Sequence, residues 1–281
     1  MTLRLFALTL FAMLAFAGNS LLCRLALKQT AIDPTTFVAI RIVSGAVMLW
    51  LVLVLRRESA RLEGNWAGAL ALFAYAVAFS YAYTRIPAGT GALLLFGAIQ
   101  ISMIVYGLVI GERLSFVQGL GIGLAICGLV GLMLPSVGAP PVFYGFLMIL
   151  SGVAWSIYSL LGRGSKNPAA ATAGNFIRAT PVALALFLVQ FVASHIRIDA
   201  AGAAYAVVSG AVTSGLGYIL WYAALKQLNV TRAATVQLSV PVLAAFGGTV
   251  FLDEPLTGLL LAASALVLLG VALVILNKRP A

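Results

Sequence analysis

One pattern fills the chain from end to end: an apolar run about as long as a bilayer is thick, a short break at charges, prolines or glycines, then another such run. Cutting at the breaks gives ten segments, at 3–27, 35–55, 65–85, 89–110, 114–134, 142–163, 170–193, 201–224, 231–252 and 256–277. A backbone in lipid must satisfy its own hydrogen bonds, so each segment is expected to be a helix. The expected fold class is an all-α membrane protein of ten transmembrane helices. Composition agrees, since 63% of the 281 residues are hydrophobic and only 9% are charged, against about a quarter charged in soluble domains. The breaks leave no room for a soluble catalytic or nucleotide-binding domain. No Gly-x-x-x-x-Gly-Lys-Ser/Thr loop is present, which excludes ATP-driven pumping by this chain alone. The first run continues through Asn19 to Arg24 without a cleavage site, so it is read as a span and not as a leader.

The formal net charge of +10 comes from single Lys and Arg residues scattered between apolar runs, so it forms no basic face for nucleic acid. It reads as a topology signal. With the N-terminus inside, Arg4, Arg56, Arg57, Arg61, Arg113, Arg163, Lys166, Lys226, Arg232, Lys278 and Arg279 fall on inner loops and tails. Only Arg24, Lys28, Arg85 and Arg197 fall outside. That bias places both termini in the cytoplasm of a multi-pass protein of the cell inner membrane.

The two halves repeat each other. Ser20-Leu-Leu-Cys-Arg24 matches Ser159-Leu-Leu-Gly-Arg163, and Ile40-Arg41 matches Ile177-Arg178. Gly111-Glu112-Arg-Leu-Ser115 matches Asp253-Glu254-Pro-Leu-Thr257, and Gly128 falls on Gly270 at the same spacing. The expected units are residues 1–137 and 138–281, with five helices each. Five is odd, so the second half must enter the membrane upside down relative to the first. That is the architecture of many secondary transporters, whose sites lie near the midplane between repeats.

Two five-helix halves, each with an acidic turn of the Gly-Glu type before its last helix, resemble the drug/metabolite transporter superfamily and its EamA group. The resemblance covers essentially the whole chain. The aromatic and glutamine content of the third, fourth and sixth helices is most similar to the YddG-type amino-acid exporters. The resemblance implies ten helices in an EamA-like basket, a central cavity lined by helices 1, 3, 4, 6, 8 and 9, and amino-acid export. One departure stands out: Pro241 in the second half falls opposite Ile99 in the first.

Three aromatic faces are candidates for the lining: Tyr75, Phe79 and Tyr83 on the third helix, Trp155 and Tyr158 on the sixth, and Tyr218 and Tyr222, with Trp221 beside them, on the eighth. Rings and phenols together suit small zwitterions. Such rings also pack or form interfacial belts without touching any substrate. Amides and hydroxyls are costly in hydrocarbon, so Asn19, Gln100, Ser159 and Gln237 join the candidates. Interhelical glue at about 0.6 kcal/mol per bond is their competing role. Gln100, one turn after Phe96, is the preferred ligand group.

Arg41 and Arg178 lie inside the second and seventh helices. The sequence allows Arg178 or Arg163 to pair with Glu112, and Arg41 or Arg24 with Glu254, as gating or structural ion pairs at the two rims. Snorkelling of the cations and helix capping by the acids are the alternatives. Pro181 and Pro241 are expected hinges. Gly119, Gly121, Gly123, Gly128 and Gly131 on the fifth helix, with Ala262, Ala263 and Gly270 on the tenth, mark close packing, either as a scaffold or at a homodimer contact. None of the seven acids is near the centre of a span, so uniport is expected, with proton coupling through a peripheral Glu as the alternative. Cys23, Cys127 and the single His195 offer neither a metal cluster nor a disulfide framework. No cofactor and no metal are expected; an EamA-type exporter of other small metabolites or drugs is the alternative reading, and a membrane-embedded enzyme, a channel or an assembly subunit are the remote rivals.

Overall fold

The computed structural model describes residues 3–56, 63–110, 115–134, 139–162, 165, 167–193, 195–225, 227–228, 236–237 and 239–276. Every regular element among them is helical: α1 (Leu3–Gln29), α2 (Pro34–Leu55), α3 (Trp66–Tyr83), α4 (Ala88–Val109) and α5 (Phe116–Met133) in the first half, then α6 (Val142–Gly162) and α7 (Pro168–Val192). Helix α8 is built from Ala200–Val208, a π-helical stretch Ser209–Leu216 and Gly217–Leu225; α9 (Ser239–Leu252) and α10 (Gly258–Leu276) follow. Eight helices are long and apolar enough to cross a bilayer, with α9 and the apolar stretch of α10 shorter.

Local chemistry sets the starts. Asp33 caps α2 by accepting from the Thr36 amide, with Pro34 in the first turn. Asn65 caps α3 in the same way, Ser115 and Gln118 form a reciprocal capping box on α5, and Asp199 caps α8. Pro168 opens α7 behind the Asn167 cap, two residues ahead of the segment start expected at 170. Large apolar side chains such as Phe6, Trp50, Phe143, Val189, Phe246 and Phe251 are exposed, as a lipid-facing surface requires.

The packing has a two-fold logic. Helix α3 packs on α6 as α8 packs on α1; α4 packs on α6 as α9 packs on α1; α3 packs on α7 as α8 packs on α2. The remaining large contacts join equivalent helices: α2 with α7, α4 with α9 and α5 with α10. Exchanging the halves maps this set onto itself. Helix α3 then serves as a ruler for direction. Arg24, near the end of α1, donates to the carbonyls of Tyr83 and Thr84 at the end of α3. Ser165, just past the end of α6, donates to Glu63 before the start of α3. The equivalent helices α1 and α6 therefore finish at opposite ends of the bundle, and the repeats are inverted.

The close α5–α10 packing falls on the matched glycines. A Cβ at Gly128 would meet Ala263 O at 3.0 Å, and one at Gly270 would meet Ala125 N at 2.7 Å. Those small-residue faces are thus occupied within one chain. Gly119, Gly123 and Gly131 face open space.

Candidate functional site

Helices α1, α3, α4, α6 and α8 bring Phe16, Asn19, Ser20, Tyr75, Phe79, Leu95, Phe96, Ile99, Trp155 and Tyr218 around one central cavity. Trp155 is its hub. Its ring centroid lies 4.8 Å from Tyr75, 4.9 Å from Tyr218, 5.5 Å from Tyr158 and 6.2 Å from Phe16. The chain of rings extends through Phe79, 5.3 Å from Tyr75, to Tyr83, 4.7 Å farther on. Edge-to-face and tilted pairs dominate, the geometry that aromatic quadrupoles favour.

Polar bonds surround this cage. The Asn19 amide nitrogen donates to the Tyr75 hydroxyl at 3.2 Å, and its carbonyl accepts from Ser209 at 2.7 Å and Thr213 at 3.3 Å. Arg41 Nη2 donates to the same Tyr75 hydroxyl at 3.1 Å, and its Nε donates to Ser214 at 3.2 Å. Ser209, Thr213 and Ser214 all belong to the π-helical stretch of α8. The widened turn carries three hydroxyls toward α1 and α2, and π geometry is concentrated at functional sites in general. Close approach there depends on Gly210, where a Cβ would run into the Arg41 carbonyl and Ser44 Oγ.

The cavity is narrow. Its volume of about 20 Å³ has room for a water or so, too little for an amino acid, and helix 9 of the implied lining contributes no described residue to it. Both exits are closed by side chains. On the Arg24 side, Tyr83 is fully buried and its hydroxyl donates to Ala88 O at 3.3 Å. On the Glu63 side, buried Tyr158 stands with its hydroxyl among Thr172, Asn175 and Tyr222. Beyond that layer lies a groove of about 370 Å³ lined by Glu63, Gly64, Asn65, Gly162, Ser165 and Asn175 among others.

Beyond the Tyr83 barrier the rim is held by a buried ion pair, Arg24 Nε to Glu254 Oε1 at 2.8 Å, with the side chains 10% and 7% exposed. The other Glu254 oxygen accepts from the Ala88 amide at 2.6 Å, so this carboxylate caps α4 rather than its own following helix. Lys28 adds a bond to Leu252 O at 2.8 Å.

The sequence-based candidates divide accordingly. Asn19, Tyr75, Phe79, Phe96, Trp155 and Tyr218 line the cavity. Tyr83, Tyr158 and Tyr222 form layers on either side, and Gln237 is helical and half-buried away from the lining. Ser159 bonds back to Trp155 O at 2.8 Å within its own helix. Gln100 is buried but outside the lining. At about 100° per residue, Leu95, Phe96 and Ile99 define the inward face, and Gln100 falls roughly a quarter turn to its side.

Of the ion pairs, Arg24–Glu254 forms. Arg41 does not meet Glu254; it lies against both the Tyr75 and Phe79 rings, 5.2 and 5.1 Å from their centroids. Arg178 bonds to the backbone carbonyls of Glu63 and Gly174 at 2.9 and 3.0 Å. Arg163 and Glu112 lie outside the described residues. Pro181 lies inside α7, which continues through it, whereas Pro241 falls in the first turn of Ser239–Leu252. Sequence reasoning missed Phe16, although Phe16, Asn19 and Ser20 show the same three- and four-residue spacing that marked the other faces.

The EamA-like transporter family model matches residues 4–134 and again 142–276. An uncharacterized protein of Pseudomonas aeruginosa is 55% identical over 97% of this chain and 94% of its own length. A "probable terminal-alkyne amino-acid exporter" of Streptantibioticus cattleyicolor is 27% identical over 75% of this chain and 71% of its own. A "probable amino-acid metabolite efflux pump" of Salmonella typhimurium is 28% identical over 69% of each. A crystal structure with 19% identity superposes at a TM-score of 0.67 over 96% of both chains, a likeness of fold.

Proposed function

The chain belongs to the EamA-like transporter family, and from that membership we propose that it exports neutral amino acids, aromatic ones included, from the cytoplasm by alternating access. One observation carries the reading. The aromatic residues Phe16, Tyr75, Phe79, Phe96, Trp155 and Tyr218 meet, with Asn19, at a cavity shared by both inverted halves. Aromatic walls beside an amide and phenols suit a zwitterion with an apolar side chain. The relatives named as amino-acid exporters support this substrate class.

In this reading residues 1–137 and 138–281 are the two moving units, both termini are cytoplasmic, and the inner membrane is the site of action. The narrow cavity is the occluded stage of the cycle. Arg24–Glu254 closes the outer rim, and the Tyr158–Asn175–Tyr222 layer closes the inner path. Transport is uniport. The described carboxylates of Asp33, Glu63, Asp199, Asp253 and Glu254 all lie at helix ends or connections, away from the central cavity, so the cavity offers no acid for a proton or sodium ion.

Counterflow in proteoliposomes tests it. Labelled phenylalanine is expected to enter vesicles preloaded with phenylalanine, saturably, with competition by other neutral amino acids and no loss on collapse of the proton gradient. Absence of stereoselective counterflow across an amino-acid panel refutes the substrate class. Arrest by a protonophore despite an intact substrate gradient refutes uniport.

A further inference from the structure

Arg41 is 2% exposed, and the described carboxylates do not meet it. Asp33 is committed to Thr36 and the Arg197 amide, Glu63 to Ser165 and Asn167, Asp199 to Gly202, and Glu254 to Arg24 and Ala88. Asp253 is exposed, in the turn before α10. The guanidinium is held by neutral groups only: two ring faces, the Tyr75 hydroxyl and Ser214. Its Nη1 is buried without a hydrogen-bond partner. A buried charge normally finds a countercharge, because taking an ion out of water is costly. Among the described residues the site lacks one.

The neighbouring hydroxyls point the same way. Ser20 Oγ and Tyr218 Oη, both on the cavity lining, are also buried without partners. The Tyr75 oxygen accepts from both Arg41 and Asn19, which uses its two lone pairs and leaves its proton to donate. The acceptor on Asn19 is already taken by Ser209 and Thr213. The centre therefore holds a donor-only guanidinium edge, hydroxyls that can turn their protons toward an incoming group, and one positive charge that no described carboxylate neutralises. Three unsatisfied polar side chains clustered in a native fold call for a ligand or another explanation.

Resting on the amino-acid reading of the same cavity, we infer that Arg41 is the fixed countercharge for the carboxylate of the substrate, and that a carboxylate is what the carrier requires. The carboxylate takes the Arg41 Nη1 proton and the hydroxyl protons of Tyr75, Tyr218 and Ser20, while the ammonium and side chain lie against the aromatic walls. Arg41 packs against two rings of the lining without belonging to it, and opening the cavity enough to admit a substrate brings Nη1 into reach. Cationic amines that lack a carboxylate are repelled by the same charge.

Binding to the purified full-length protein, read by thermal shift and by competition with labelled phenylalanine, tests this with four matched probes. Phenylalanine and 3-phenylpropionate carry the carboxylate; phenylalaninamide and phenethylamine do not. The carboxylate pair is expected to bind at least tenfold more tightly than the other pair. Arg41→Gln should weaken phenylalanine and strengthen its amide until the two bind alike, and Arg41→Lys should restore part of the difference. If Arg41→Gln does not fold, the comparison of probes on the wild type still decides. Equal binding of phenylalanine and phenylalaninamide overturns the inference. So does an Arg41→Gln protein that keeps the preference, or Arg41-dependent stabilisation by chloride alone with no preference among the probes. Failure of amino-acid counterflow alongside Arg41-dependent 3-phenylpropionate binding would sink the amino-acid reading and leave this one standing.

Discussion

Phe16 and Trp155 occupy the same place in the two halves, four residues before the matched Ser20 and Ser159, and their rings meet edge to face with centroids 6.2 Å apart. Two equivalent residues of an inverted repeat can touch only close to the axis that relates them. The centre of the aromatic cage is thus also the centre of the pseudo-symmetry, where opposite rocking of the halves moves the walls least. Trp155→Ala removes the hub. It is expected to enlarge the cavity, lower the affinity for phenylalanine at least tenfold and admit bulkier competitors, which competition in proteoliposomes measures. Truncating a buried Trp costs about 3–5 kcal/mol, so the melting temperature should fall as well.

Removing one partner of the Arg24–Glu254 pair leaves a buried charge alone, a loss of about 3–5 kcal/mol. Glu254→Gln keeps one acceptor for the Ala88 amide but not the negative charge. Its expected signature is a lower melting temperature together with faster labelling of a cysteine introduced at Ser20 by an impermeant thiol reagent, in a Cys23→Ser background. Wild-type transport and unchanged labelling would reduce the pair to a helix cap.

Asn19 ties α1 to α3 and to the π-helical turn of α8 through three bonds. Asn19→Leu takes the acceptor from the Ser209 hydroxyl and one donor from the Tyr75 oxygen, while Thr213 keeps its bond to Ser209 O and Tyr75 its bond from Arg41. Transport should fall more than tenfold. Gln100→Leu, at the edge of the inward face of α4, should change KM less than threefold. Initial-rate counterflow on both variants separates them, and a larger loss at Gln100 would restore it as a ligand.

Gly270→Ala tests the scaffold. Its Cβ would meet the Gly121 carbonyl and Ala125 N at 2.7 Å, both of them backbone atoms that cannot rotate away. Overpacking of this kind costs about 1–3 kcal/mol. The variant is expected to melt earlier while the folded fraction transports with wild-type KM, because α5 and α10 stand away from the cavity.

The ten helices were legible because length, apolarity and bilayer thickness leave one solution, and inversion followed from an odd helix count. Tyr75, Phe79, Trp155 and Tyr218 were legible as lining because helical spacing puts recurrent aromatics on one face. The partner of Arg41 was not. Its depth in α2 matched Arg24 in suggesting Glu254, but Arg24 reaches that carboxylate across the rim, while the α8 hydroxyls and two rings enclose Arg41. The π-helical stretch Ser209–Leu216 was invisible as well, since its composition of small and hydroxyl residues serves an ordinary helix equally well. Gln100 falls outside the lining because its amide character, and not its place on the inward face of α4, singled it out.

The cap on α4 has a consequence for biosynthesis. Ala88 receives its acceptor from a residue 166 positions later, and Arg24 its anion from one 230 positions later. While the ribosome is still making the second half, the nascent first half holds a bare helix start and a lone cation within the membrane. Both are quenched only when the turn before α10 arrives. A chain that stops before that turn therefore leaves the Arg24 charge and the Ala88 amide without the one carboxylate that serves both.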